Sequence, residues 1–417
     1  MRFYLVGGTF VKIVNAFKEG LDVLKEIDTQ LVSIAKVTDY TTQEMKALAS
    51  SAIEVGKQYG RSAIEYLSAV TEFARAGFGK EAEQLGKISI LLQNVGDVSA
   101  QTANEMLLAV NAAYELGGSQ EKLIRVVDML NEVSNRNPTS VQKMAEGISV
   151  AANVFKQAGF SIEEFIALVG TATSATQRSG SETARALRTV LMNIRQVVDD
   201  EAETTTESIS KAEAVLRSVG IEIRKTTGAF REPMEILRDL AKVYKELGKQ
   251  GRTVKQAEVL EALAGKRQSN VLAAVLGQFN MVEKQLQEAL NSSGSAIKEN
   301  EIYMQSWEAK VKQLGATMTG FWNNFVNTDV TKGFIDFLRN AISTLDILIN
   351  NPISSFILKT AIMTTAVYGL SKAFTALIVK IETANIALKA SPIFWITGIL
   401  SAIQLAVGIF DRLNVSA

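Results

Sequence analysis

The 417-residue chain contains no cysteine and no histidine. The first absence excludes disulfides and thiolate metal sites, and the second removes imidazole ligands. Together they exclude Ser-His-Asp and Cys-His catalysis. Lysine plus arginine number 44, as do aspartate plus glutamate, so the formal net charge is zero. No global field gathers nucleic acid, and sequence-specific nucleic-acid binding is not expected. Proline is scarce, at 4 residues, and aromatic residues make up only 7%. Few helix breakers and few strand-favouring rings, beside 47% apolar residues rich in Ala, Leu, Ile and Val, predict an all-α fold. Residues 1–10 carry one arginine and a short apolar stretch without a signal-peptide cleavage pattern, so synthesis in a cytoplasm is expected.

Near the N-terminus two series of seven-residue spacing run side by side. Phe10, Phe17, Leu24 and Leu31 form one, and Ile13, Ile27 and Ile34 form the other, with Gly20 in its gap. Phe10, Phe17, Leu24, Ile27, Leu31 and Ile34 thus mark a candidate self-association seam. The same stripe, widened by Val14, Leu21 and Val23, also suits a helix packed in a bundle.

After Asp39 the pattern changes to about eight shorter helices reaching Val198. Hydroxyl residues followed three positions later by an acid or amide predict capped starts at Thr41 with Glu44, Ser62 with Glu65, Thr139 with Gln142 and Ser161 with Glu164. Gly77, Gly96, Gly117, Gly159 and Gly180 are read as helix ends at positive φ. Short loops imply an antiparallel multi-helix bundle. Within it Phe73-Ala-Arg-Ala-Gly77-Phe78 returns 82 positions later as Phe155-Lys-Gln-Ala-Gly159-Phe160, which suggests an internal duplication.

Asp199 to Ser210 is acidic, rich in threonine and poor in large apolar side chains, so it reads as an exposed linker. Ile221, Ile223 and Phe230 flank Lys225-Thr-Thr-Gly228 and predict a small hairpin insertion near 221–230. Pro233 opens a helix to Leu247. Two short helices over Glu258–Ala264 and Asn270–Leu276 are separated by Gly265-Lys-Arg267, and a longer one follows Asn291–Ser295. Its apolar face comprises Ile302, Trp307, Val311, Leu314, Met318, Phe321 and Phe325.

From Pro352 onward apolar helices are expected. Ala390 to Phe410 holds no charged residue, and as a helix it would be about 31 Å long, the thickness of a bilayer's hydrocarbon core. Gly398, Ala402 and Ala406 recur at every fourth position and form a candidate packing face for a membrane helix. A buried helix in a water-soluble bundle is the competing reading. Thr360–Val379 carries Lys372 at its centre and suits an interfacial helix better. The expected organisation is therefore a heptad helix over 1–40, a helical bundle over 41–198, the linker over 199–210, a second helical region over 211–350, and a membrane-active region over 351–417.

Motifs for chemistry are missing. The acids at Asp199, Asp200, Glu201 and Glu203 lack the spaced ligands and turn glycine of a calcium loop. Neither Gly79–Lys87 nor Gly265-Lys266 has the residue order of a phosphate loop. No catalytic residue, metal ligand or cofactor is assigned, and the chain is not expected to be an enzyme.

A different signal lies in a set of ordered segments. Phe73-Ala-Arg-Ala-Gly-Phe78, Asn94-Val-Gly-Asp-Val-Ser99, Gly159-Phe-Ser-Ile-Glu-Glu164 and Gly180-Ser-Glu-Thr-Ala-Arg-Ala-Leu187 come first. Gly228-Ala-Phe-Arg-Glu-Pro233, Ile236-Leu-Arg-Asp-Leu240 and Leu263-Ala-Gly-Lys-Arg267 complete it. In this order they resemble the tape measure proteins of long-tailed bacteriophages, in their minor-tail-protein core region, over about Leu31 to Phe325. The resemblance implies a structural ruler made in the host cytoplasm. Several copies would lie together in the virion tail lumen and set tail length with tail tube, tail assembly chaperone and baseplate proteins. On ejection they would pass into the host envelope, reaching the host membrane through 390–410. Fully helical, the chain would span about 630 Å, short for that family. The alternative is a stand-alone pore-forming protein, a helical bundle that releases an apolar hairpin into a membrane.

Overall fold

The computed structural model describes residues 22–195 and 210–326, and they form fifteen helices with no strand. Helix α1 runs through 22–35. It is followed by α2 (Thr42–Tyr59), α3 (Ala63–Arg75), α4 (Glu81–Gly96), α5 (Ala100–Ala113), α6 (Gln120–Arg136), α7 (Val141–Gln157), α8 (Ile162–Thr176) and α9 (Gly180–Ile194). Then come α10 (Lys211–Ser218), α11 (Pro233–Lys249), α12 (Thr253–Gly277), α13 (Phe279–Leu290), α14 (Ser295–Tyr303) and α15 (Trp307–Val326). The all-α class stands. The chain divides into a compact unit, Thr29–Ala316, and a second unit drawn from both termini, whose described residues 22–28 and 317–326 are helical. Of the expected linker over 199–210, residues 199–209 lie outside the described residues, as does the apolar region over 351–417, while Ser210 is buried and caps α10, a correction to its exposed reading.

Hydroxyl caps set the helix starts. Thr41, Ser62 and Ser161 each accept a backbone N–H from the third residue of their helix, and Glu44, Glu65 and Glu164 reach back to the cap. The Thr139 assignment is corrected: Ser140 caps α7 by accepting from the Lys143 N–H, while Thr139 Oγ1 lies 2.6 Å from Thr173 Oγ1. Gly77, Gly117 and Gly159 do take positive φ. Gly96 and Gly180 do not. Gly96 is the last residue of α4, where Asp97 takes the left-handed position, and Gly180 is the first residue of α9.

Gly180 serves close approach instead. A Cβ built there would sit 1.5 Å from the Lys143 carbonyl oxygen, so α9 begins in backbone contact with α7. This contact permits the burial of Val141, Met144, Ile148 and Phe155 on α7 together with Ala184, Leu187 and Leu191 on α9. At the centre of the unit lies α8, buried without interruption from Phe165 to Ser174 and bordered by α6, α7, α9, α12 and α13. Phe155 stacks on Phe165 at 3.9 Å between ring centroids.

The two similar segments adopt one turn. Gly77 and Gly159 both have φ 91°, and the Phe78 and Phe160 amides donate to the Phe73 and Phe155 carbonyls at 3.2 and 3.0 Å. Each turn leads to a helix ending in a left-handed residue, Asp97 or Gln177, and then to a serine-capped helix, from Ser99 or Ser179. Helices α2–α5 and α6–α9 thus follow the same plan, and α4 occupies in the first quartet the place of α8 in the second.

The expected hairpin is a single antiparallel bridge between Arg224 and Phe230, closed by Gly228 at φ 84°. Arg224 pairs with the buried Glu213 carboxylate and lies 5.3 Å from the Phe230 ring centroid. Pro233 opens α11 as expected, and Gly265, with φ 67°, kinks α12 between its two predicted halves. The single long helix expected after Ser295 is corrected to two, because the Ser306 hydroxyl accepts the Ala309 N–H and starts α15 afresh.

A Gly180→Ala substitution should lower stability in urea unfolding by about 3 kcal/mol or more, because it overpacks a backbone contact. Gly277→Ala, where no atom stands within 4 Å of the added Cβ, should change stability by less than about 1 kcal/mol, in the stabilising direction.

Candidate functional site

The surfaces offered to other molecules are decided by which apolar residues the fold leaves uncovered. Phe10 and Phe17 of the candidate seam lie outside the described residues. Its other members divide by line. Ile27 and Ile34 are buried within the single chain, Ile34 completely, whereas Leu24 and Leu31 are half-buried. The segment after α1 is tied down by Tyr40, whose hydroxyl lies 3.3 Å from both the Gly79 carbonyl and Glu83 Oε1. Burial, with the Glu83 charge adding to it, pushes that phenol up to about 12. Beside it Lys80 donates to Glu44 at 2.7 Å. With the Thr41 backbone and hydroxyl also donating, the exposed Glu44 carboxyl is lowered to about 2. The leucine line is the less covered part of the candidate seam.

The second surface is the apolar face read from sequence after Ser295. Of that apolar face, Ile302, Trp307, Val311 and Leu314 are all exposed, Trp307 at 84%. The packed face of α15 in the compact unit is the opposite one, made of Ala309 and Ala316. Ala309 meets Gly60, where a Cβ would stand 3.1 Å from its Cα, and Ala316 meets Gly56. Small side chains on both helices let the backbones approach, so the larger apolar residues are turned outward. Alanine at positions 309 and 316 opposite glycines at 56 and 60 was the available signal, and a reading weighted by side-chain size passes over it.

No group of three or more acidic residues among the described ones is placed to hold a metal ion. Of the two stretches compared with phosphate loops, Gly79–Lys87 is a turn running into α4 and Gly265-Lys266 is the kink of α12. The acidic run at 199–203 lies outside the described residues. So do Gly398, Ala402 and Ala406, and no described helix is long and apolar enough to cross a membrane.

Comparison with known proteins gives these surfaces a setting. The chain is 28% identical over 236 residues to a protein named "Probable tape measure protein" from Escherichia phage P2, covering 56% of the chain and 27% of that relative. It is 22% identical over 302 residues to the "Tape measure protein" of Pneumococcus phage Dp-1, covering 71% of the chain and 24% of that relative. The aligned part of the chain therefore spans about a quarter of the length of each. No solved structure matches significantly. The model of a family described as phage-related minor tail protein matches residues 49–265, from within α2 to the kink of α12. That match covers just over half of the sequence, and the chain belongs to the phage-related minor tail protein family.

Proposed function

We propose that this phage tail protein acts as a ruler that sets tail length during assembly and is released into the host envelope to assist genome delivery. The observation that carries the reading is the match of two relatives, both named tape measure proteins, to one helical chain. Helices suit the task because they convert residue number into distance at a fixed rise of about 1.5 Å per residue. The proposed place is the tail lumen, with tail tube, tail assembly chaperone and baseplate proteins as neighbours and other copies of the chain as partners. No enzymatic step belongs to the proposal.

A compact unit such as Thr29–Ala316 does not measure length at the helical rise, so the ruling state is an opened one. An in-frame deletion of about 40 residues from the helical middle should then shorten tails by up to about 60 Å in electron micrographs. Unchanged tail length with normal particle yield would overturn the ruler reading for that segment.

Self-association is proposed through the leucine line of the N-terminal seam. Leu24→Asp combined with Leu31→Asp should reduce the oligomeric mass in sedimentation and leave helicity in place, whereas Ile34→Asp should lower stability by about 3 kcal/mol or more by burying a charge. A double variant with the parent's mass removes this seam from the assembly.

Residues 390–410 are proposed to enter the host membrane on release, with Gly398, Ala402 and Ala406 as the packing face. The isolated segment should float with liposomes, and Ile399→Arg should oppose insertion by about 2.5–3.5 kcal/mol. A wild-type segment that stays in the aqueous fraction contradicts this step.

A further inference from the structure

Residues 295–316, which form α14 and the start of α15, are attached unlike any other part of the compact unit. Their buried residues are three alanines, Ala296, Ala309 and Ala316, whereas α8 buries ten consecutive residues that include Phe165, Ile166, Leu168 and Val169. What holds the segment is mostly polar. The Asp128 carboxylate of α6 accepts the Gly294 and Ala296 N–H groups, both at 2.9 Å, and so caps α14 from a distant part of the chain. Asn131 and Glu132 on the same helix pair with the Ser295 hydroxyl at 2.9 and 3.0 Å, and Asn135 reaches Glu299 at 3.3 Å. Further along, Asn94 of α4 donates to Asn300 at 2.8 Å, and Gln313 donates to the Lys57 carbonyl at 2.9 Å.

Such an attachment is easily undone, for two physical reasons. Polar groups that bond one another across a seam exchange those bonds for water bonds at small net loss, while alanines expose little apolar surface. The seam also contains a buried acceptor without a partner, Asn131 Oδ1, which gains a water when the segment lifts. The helices beneath, α4 and α6, keep their own apolar burial in Leu85, Ile88, Leu92, Leu123, Val127 and Leu130.

We propose that residues 295–316 are a releasable strap that opens as one piece while the helices beneath it stay folded. Asp128 is the latch, because it supplies the charge-assisted bonds at the one end of α14 that carries free N–H groups. The opening itself does not depend on the ruler reading. Its use does: an unlatched strap is the first segment able to extend along a tail, by about 33 Å if it stays helical.

Hydrogen exchange on the full chain, read by mass spectrometry, tests the strap without reference to tails. In the parent protein the amides of 296–303 should exchange through an opening that leaves Phe165–Ser174 protected. Asp128→Ala should speed exchange at 296–303 by roughly ten- to a hundredfold and leave Phe165–Ser174 unchanged. Ser295→Ala, which removes a single hydroxyl, should give about a two- to tenfold rise confined to the same peptides. If Asp128→Ala prevents folding, the parent and Ser295→Ala measurements still decide. Equal exchange of strap and α8 in the parent, or acceleration of both alike in a variant, overturns the proposal.

Discussion

A helix with no face toward water has to be enclosed, and in this protein that helix is α8. Its buried run from Phe165 to Ser174 needs cover on every side, so five other helices are recruited to border it. Each of them then has its apolar stripe committed. The contact of Gly180 with the Lys143 carbonyl follows from the same requirement, since α7 and α9 close around α8 only if their backbones meet. Helix α4 meets the same demand in the first quartet, with Ile88, Ile90, Leu91 and Leu92 buried. Two enclosed helices, α4 covered mainly by α3, α5, α6 and α14 and α8 by α6, α7, α9, α12 and α13, account for the compactness of Thr29–Ala316.

Much of this was legible in the sequence where one residue has one physical role. Thr41, Ser62 and Ser161 announce helix starts because an acid three residues on completes a local ring of bonds, with no need of distant partners. Pro233 and Gly265 were legible for the same reason. Where a residue's role depends on a distant neighbour, the reading failed. Thr139 and Ser140 are both able to cap, and the choice turns on Thr173, which lies on another helix. Gly180 looks like a helix end until α7 is laid against it. Periodicity located an apolar stripe on α15, but in the compact unit the helix packs by Ala309 and Ala316, and Trp307, Val311 and Leu314 stay exposed. In the candidate seam, periodicity placed Ile34 and Leu31 on one stripe, and only the fold separates the fully covered isoleucine from the half-open leucine.

The proposed function and the architecture pull in different directions, and the tension is informative. A ruler needs length, and a chain that encloses two of its own helices gives length up. The elements are not equally bound to the compact state. Helices α7, α8 and α9 are held by continuous apolar burial, whereas α14 is held by a line of polar side chains along α6, and it lies near the end of the described chain. Under the proposed ruler function, a fold graded in this way would loosen from the α14 side first, which would give an opening into an extended form a direction.

The separation of Asp128 from the residues it caps has a consequence in time. The carboxylate and its two N–H partners lie 166 and 168 positions apart in the chain. At translation speeds of about 5–20 residues per second, roughly 8 to 33 s pass between synthesis of one partner and of the other. The first helix quartet is already made when that interval begins, and α7–α13 are made within it, before α14 exists to take its seat on α6. A newly made chain therefore passes through a period in which its own C-terminal half has yet to claim that seat, and any other helix with an open N-terminus has a temporary claim on the same carboxylate.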